Sequence, residues 1–418
     1  MNLRVRLALM SFLQFGVWGA YLTCMGLHLM ELGMGHHIGS FFAMQGFVSL
    51  FMPTLMGIVA DRWIPAQRLY GFCHLMAGVF MILTGLYGQQ EGTHAAFPVL
   101  FGLYSMSVAF YMPSLALSYS VSYNALLKEG MDPVRTFPPI RVFGTIGFIA
   151  MMWLVDILDY EHTHHQFLVS GMLSLLLFLY SFILPSCPVN GNRGKQSFAE
   201  TFGLQAFVLF KKRSMAVFLI FSMFIGVCLH ITNGFATPFI NHFQRVPAYA
   251  DSFGVKYPLI LYSISQFSET FCILLIPFFM KHFGIKRVVL IAIVAWFFRF
   301  GLLGMGNPGS GVWMFVLSMI VYGVAFDFFN ISGSLYVNQS TDPGLRSSAQ
   351  GLFMLMTNGV GATLGSLAAQ AVVNAHTMDG QVEWSTCWYI FAGYAIVIGL
   401  LFYLMFHPQQ ERVREARV

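Results

Sequence analysis

Charge is what this chain has least of: 9% of its 418 residues are Asp, Glu, Lys or Arg, while 57% are hydrophobic. A soluble domain carries about 25% charged residues because its surface faces water. A surface this poor in charge must face something apolar, and the bilayer is the medium that fits. Cysteine is scarce as well. The 6 cysteines, Cys24, Cys73, Cys187, Cys228, Cys272 and Cys387, form no C-x-x-C pair and have no histidine at ligand spacing. That excludes a disulfide framework and leaves apolar packing as their role. Missing too are a nucleophile–base pair, a phosphate-cradling loop and a metal-ligand cluster, so no enzyme, cofactor or metal is expected, and no nucleic-acid partner either. The external-loop histidines His36, His37, His162, His164 and His165 are read the same way, as carrying no metal, and His28 and His74 as satisfied or loop-proximal.

What is abundant is long apolar runs, helped by Phe 44 and Met 26. In lipid the backbone must satisfy its own hydrogen bonds, so a span is a helix of roughly 20 apolar residues or a strand of a closed barrel. These runs are continuous rather than alternating, which excludes a barrel. Twelve are expected, at about 7–30, 38–60, 68–88, 96–127, 138–156, 166–184, 214–243, 255–280, 287–305, 311–338, 346–373 and 385–406. Break signals lie between them, such as Pro138-Pro139, Asn307-Pro308-Gly309 and Asp342-Pro343-Gly344. The longest polar stretch separates six spans from six. The expected organisation is therefore an all-α membrane protein of twelve helices in two six-helix bundles, with a first bundle over 1–184, a linker over 185–213, a second bundle over 214–406 and a tail over 407–418.

Orientation follows from the distribution of Lys and Arg. Nineteen of the 22 fall on the side of the termini, Arg245 and Lys256 on the other, and Arg299 inside a span. Both termini are expected in the cytoplasm. Arg4 and Arg6 precede an apolar run longer than the 7–15 residues usual in a signal peptide, so no cleavage is expected there.

The two halves repeat each other weakly. Gly57-Ile58-Val59-Ala60-Asp61-Arg62 lies between spans 2 and 3, and Lys281 to Arg287 lies in the matching place between spans 8 and 9. Such symmetry is common in transporters. The first loop resembles the G-x-x-x-D-[RK] signature of the major facilitator superfamily, carried here by Gly57, Asp61 and Arg62, which implies that superfamily's fold.

Two carboxylates, Glu269 and Asp327, fall inside spans rather than loops. A charge at mid-membrane costs at least about 2.5–3.5 kcal/mol, and burial favours the protonated form, which suits proton exchange. The competing structural reading pairs Asp327 with Arg299. Around these acids, polar and aromatic residues recur at helical spacing and so share faces: Arg141, Thr145 and Phe148; His230 and Asn233; Gln266 and Glu269; Tyr322, Phe326 and Asn330. Aromatics stack on a planar ring, amides pair with its edge, and carboxylates accept from hydroxyls. A ligand that is part heterocycle and part polyol suits that set.

At these residues the sequence resembles the nucleoside–proton symporters, the bacterial nucleoside permeases of the major facilitator superfamily. The matching blocks are Ser11-Phe12-Leu13-Gln14-Phe15 with Trp18-Gly19, Phe137 to Arg141 with Gly144 to Phe148, Ile231-Thr232-Asn233, Ser263 to Gln266 with Ser268-Glu269, Ala325 to Ser334, and Ser348-Ala349-Gln350-Gly351. The resemblance implies nucleoside uptake driven by protons, by alternating access in a monomer. Binding roles fall on Arg141, Thr145, Phe148, Asn233, Gln266, Glu269, Tyr322 and Phe326, and proton coupling on Asp327. One position departs: where the family usually has Gln before Ile-Thr-Asn, this chain has His230. A neutral imidazole has one donor and one acceptor and loses the acceptor on protonation, so base preference and pH dependence are expected to differ here. On the residues alone, two other readings stay open: another small polar solute on the same scaffold, such as a sugar or nucleobase, and a membrane ligand sensor that moves nothing.

Overall fold

The computed structural model describes residues 2–187, 204–342 and 345–408. Among them nine helices are long and apolar enough to cross a membrane, and a further apolar helix, His165–Ser181, is shorter. The chain runs α1 (Leu3–Gly19), α2 (Met25–Glu31), α3 (Ile38–Arg62), α4 (Ala66–Glu91), α5 (Phe97–Lys128), α6 (Pro133–Ile157) and α7 (His165–Ser181). It continues with α8 (Arg213–His242), α9 (Phe253–Lys256), α10 (Pro258–Met305), α11 (Val312–Gln339), α12 (Arg346–Met354), α13 (Ala362–Ala375) and α14 (Trp384–Met405). The only strands among the described residues pair Thr377–Met378 with Gln381–Val382 in a two-stranded turn.

Local chemistry sets several boundaries. Asn2 caps α1, its Oδ1 accepting from the backbone N–H of Arg4 at 3.2 Å. Pro258 opens α10 at a position where its missing N–H costs nothing. The first span is not the single helix expected over 7–30, because residues 20–24 form turns between α1 and α2. Cys24 N–H still reaches Tyr21 O at 3.2 Å and Met25 N–H reaches it at 2.8 Å, so the break leaves few backbone groups unsatisfied. Between α12 and α13, Leu355–Gly361 winds as a π-helix, which keeps Arg346–Ala375 one continuous rod.

Helix α10 carries 48 residues, which would span about 72 Å if straight, far more than a bilayer needs. It is not straight. Gly284 sits at φ 69°, ψ 169°, a conformation open essentially to glycine alone. Ser265 lies before that point and Arg299 after it, yet Arg299 Nη1 approaches Ser265 Oγ to 3.5 Å. Residues 34 apart on an unbroken helix would be about 51 Å apart. The chain therefore doubles back at Gly284, in the segment where the sequence predicts a charged loop between two spans.

Packing groups the helices. In the first half α1 lies against α6 and α7, and α4 against α5 and α7; in the second, α10 lies against α11 and α14, and α8 against α13 and α14. Across the halves α3 meets α13, α6 meets α10, and α2 meets α8. All six cysteines are free and buried, as their spacing suggests.

Candidate functional site

The two membrane carboxylates are brought together by one close approach. A Cβ on Gly323 would meet the backbone of Ser268 at 2.6 Å, so only glycine lets α11 come this near α10. Ser268 Oγ donates to the carbonyl of Ile320 across the same seam. Glu269 follows Ser268 directly and Asp327 stands one turn beyond Gly323, so both acids fall on this seam and act on each other electrostatically. Asp327 is 2% exposed, and among the described residues its Oδ2 has no hydrogen-bond partner. A buried carboxylate oxygen without a partner is costly when charged. A proton removes that cost.

Arg299 does not neutralise it. No Arg299–Asp327 ion pair forms among the described residues. The guanidinium is fully buried, donates from Nη1 to Ser318 O at 2.8 Å, and lies 4.6 Å from the ring of Tyr322 and 5.8 Å from that of Tyr262. It holds two tyrosines in place through cation–π contact and leaves the acid free. Tyr322 in turn stacks on Phe326 with 5.7 Å between centroids and 10° between planes, confirming that the two share a stripe of α11. Asn330 follows one turn later and is half-buried.

On α8, Asn233 Oδ1 accepts from Tyr262 OH at 3.3 Å, which joins α8 to α10. His230, a turn earlier, has a buried Nε2 with no partner among the described residues. Gln266 is half-buried one turn after Tyr262. Tyr262 itself escaped the sequence reading, although the spacing 262, 266, 269 was a usable signal.

From the first half, α6 contributes Arg141, Thr145 and Phe148. The Arg141 guanidinium lies 3.7 Å from the Phe15 ring of α1, and its Nε donates to Tyr119 OH at 3.1 Å. It is the opposite charge acting on Glu269 across the two halves. Thr145 is half-buried and Phe148 buried. Behind them His74 is satisfied at both ring nitrogens, by Gln14 Oε1 at 2.8 Å and Ser174 Oγ at 2.9 Å. His28 is satisfied at Nδ1 alone, by the carbonyl of His162 at 2.9 Å. Gly57 lies in α3 with open space beside it, while the side chains of Asp61 and Arg62 fall outside the described residues.

Cross-half hydrogen bonds among the described residues all lie toward one end. Trp153 Nε1 donates to Ser263 Oγ at 2.9 Å, and Gly39 N–H to Gln370 Oε1 at 2.6 Å. Gln370 Nε2 donates to Gly35 O at 3.1 Å and Thr363 Oγ1 to Ala43 O at 3.4 Å. Asp156 accepts from the N–H groups of Leu259 at 3.2 Å and Ile260 at 2.8 Å, capping the start of α10 from the other half. The sequence counted only two acids outside loops, and this needs correcting. Asp156 is 2% exposed inside α6, and Glu161, though in a turn, is 1% exposed, its carboxyl pushed up to about 8 by burial.

Comparison with known proteins fits this geometry. The chain matches the family model described as Nucleoside H+ symporter over residues 1–411. It is 45% identical to the xanthosine permease of Escherichia coli (strain K12), covering 97% of this chain and 96% of that one. It is 44% identical to the nucleoside permease NupG of Escherichia coli (strain K12), over 99% and 98% of the two chains. The crystal structure of a mutant of the nucleoside transporter NupG superposes with a TM-score of 0.92 at 43% identity, covering 97% of this chain and 100% of that one. A bacterial homolog of the human lysosomal transporter Spinster, at 13% identity and a TM-score of 0.69, shares the fold alone. The matched proteins are permeases rather than enzymes. This chain is a multi-pass membrane transporter with a major-facilitator-like fold, and it belongs to the nucleoside H+ symporter family.

Proposed function

We propose that this transporter imports nucleosides together with protons across a bacterial inner membrane by alternating access, as a monomer without a cofactor. The observation that carries this reading is Asp327: a buried carboxylate with an unpartnered oxygen, on the seam with Glu269 and one residue from the Tyr322–Phe326 stack. A proton on Asp327 neutralises the site, and the loaded halves can then rock past one another. The nucleobase stacks on Phe326 and Phe148 and pairs at its edge with His230, Asn233 and Gln266. The ribose hydroxyls bond Glu269, Arg141, Thr145 and Asn330, with Tyr322 shaping the pocket floor.

The architecture that goes with this function is twelve crossings in two six-helix bundles, residues 1–184 and 214–406, joined by the stretch 185–213 and followed by a tail over 407–418. Counting α1 with α2 as one crossing, α10 as two and α12–α13 as one supports the number twelve. Both termini are cytoplasmic in this reading, so the end closed by Asp156, Gln370 and Trp153 faces outward and the site opens inward. Gly57, Asp61 and Arg62 then sit at the cytoplasmic end of α3, where the halves separate.

The test is uptake of radiolabelled uridine, adenosine and xanthosine into proteoliposomes, with and without an imposed inward proton gradient. Accumulation that a proton ionophore abolishes supports symport. A gradient-driven uptake of sugars or free bases, with none of nucleosides, overturns the substrate assignment. Absence of counterflow with every solute would favour a ligand sensor instead.

A further inference from the structure

Composition and spacing pointed to no metal site, but the fold brings unused donors together at the turn between α6 and α7. Glu161 is 1% exposed, and its Oε2 has no hydrogen-bond partner among the described residues. His162 places Nε2 3.8 Å from Glu161 Oε1 and Nδ1 3.9 Å from Oε1 of Glu31, at the end of α2. Both separations are too long for hydrogen bonds. Asp159, exposed, holds φ at 57°, an uncommon conformation for a residue other than glycine. One ligand atom from each of Asp159, Glu161 and His162 lies within 4.8 Å of the others.

The turn is also braced from beneath. Gln166 Nε2 donates to Glu161 O at 3.0 Å, and His28 Nδ1 bonds His162 O at 2.9 Å. Such outer contacts fix the backbone that presents the donors, as in known metal sites. Around a tetrahedral ion with bonds of about 2.0–2.2 Å, donors stand roughly 3.3–3.5 Å apart. Closing from 4.8 Å asks the exposed Asp159 and the half-buried His162 to rotate toward the buried Glu161 carboxylate. An ion pair with a single imidazole leaves a buried carboxylate oxygen unmatched, whereas a divalent cation can bind both carboxylates and the neutral ring together.

We propose that Asp159, Glu161 and His162 form a binding site for a divalent transition-metal ion of the zinc–cobalt class, with water completing its coordination. One nitrogen with carboxylate oxygens suits these ions better than magnesium or calcium, which favour all-oxygen sites. His28 of α2 holds the His162 carbonyl and α2 packs on α8 of the other half, so the ion would stiffen the turn beside a contact between the halves. Nothing in this proposal depends on the substrate reading.

The experiment titrates Co2+ into the purified, untagged full-length transporter and follows the visible d–d absorption of bound cobalt. The expected result is a saturable band of one ion per chain that equimolar Zn2+ removes. His162→Ala and Asp159→Asn should each weaken binding at least about tenfold, and Glu31→Gln, beside the other ring nitrogen, should change it by less than about twofold. Asp159 is exposed, so its variant keeps the test sound should the buried Glu161→Gln fail to fold. His36→Ala, on the neighbouring turn, should leave the band unchanged. No band in the parent protein, a band that survives His162→Ala, or preference for Ca2+ over Co2+ would each overturn the proposal.

Discussion

In the proposed mechanism the proton is carried by one carboxyl group, that of Asp327. Its Oδ2 has no hydrogen-bond partner among the described residues, and Arg299, the nearest candidate counter-ion by sequence, is occupied with Ser318 O and the rings of Tyr322 and Tyr262. Asp327→Asn mimics the protonated state permanently, removing the coupling while preserving shape. Gradient-driven accumulation of labelled nucleoside should fall at least about tenfold while counterflow persists; full concentrative uptake would remove Asp327 from the coupling role. Arg299 makes the opposite case, because its function here is to hold rings. Arg299→Lys, which loses the planar fork and its stacking, is expected to raise the KM for nucleosides with little change in the proton requirement. His230 offers a third test. Its unpartnered, buried Nε2 is free to meet a base edge. In His230→Gln, the ranking of uridine, adenosine and xanthosine as competitors should change; an unaltered ranking and pH profile would show that this ring does not read the base.

At the level of elements, the halves meet at one end through close helix packing, with Gly26 against the Gly234 carbonyl and Gly39 against Ser366, and through a few directed bonds. The clearest is Asp156, at the end of α6, accepting from two N–H groups at the start of α10. Carboxylates at helix N-termini contribute about 0.5–2 kcal/mol, enough to move an equilibrium between two conformers by roughly 2- to 30-fold. Asp156→Ala should therefore shift the population away from the state closed at this end. Distances between spin labels on Asp251→Cys and Thr93→Cys, both in loops at this end, should lengthen on average, and an unchanged distribution would show that the other ties suffice. Elements also show where periodicity could be read. The stripe Tyr322–Phe326 followed the 3.6-residue repeat and was legible. The cap at Asp156 was not, because its partners lie more than a hundred residues away.

For the whole molecule, the proposed alternating access requires the two groups of helices to move against each other, and the hydrogen bonds between them among the described residues gather at one end. The proposed orientation has a direct check. All native cysteines are buried, so background labelling should be low. Asp251→Cys should react with a membrane-impermeant maleimide in intact cells, and Lys281→Cys only after permeabilisation; the reverse pattern would invert the topology. Sequence alone determined that this is an all-helical membrane protein and put the turn between two spans near Gly284. It also singled out Asp327 and Glu269 as acids inside spans. Those properties follow from local physics: chain length against bilayer thickness, the backbone's need for internal hydrogen bonds, and the cost of a charge in hydrocarbon. Only the tertiary structure decided that Arg299 holds tyrosines instead of neutralising Asp327, that Asp156 and Glu161 are buried, and that donor atoms of Asp159, Glu161 and His162 converge. Each of those depends on which distant segments meet, as at the glycine-permitted seam of Gly323 with Ser268, and no local periodicity encodes such a meeting.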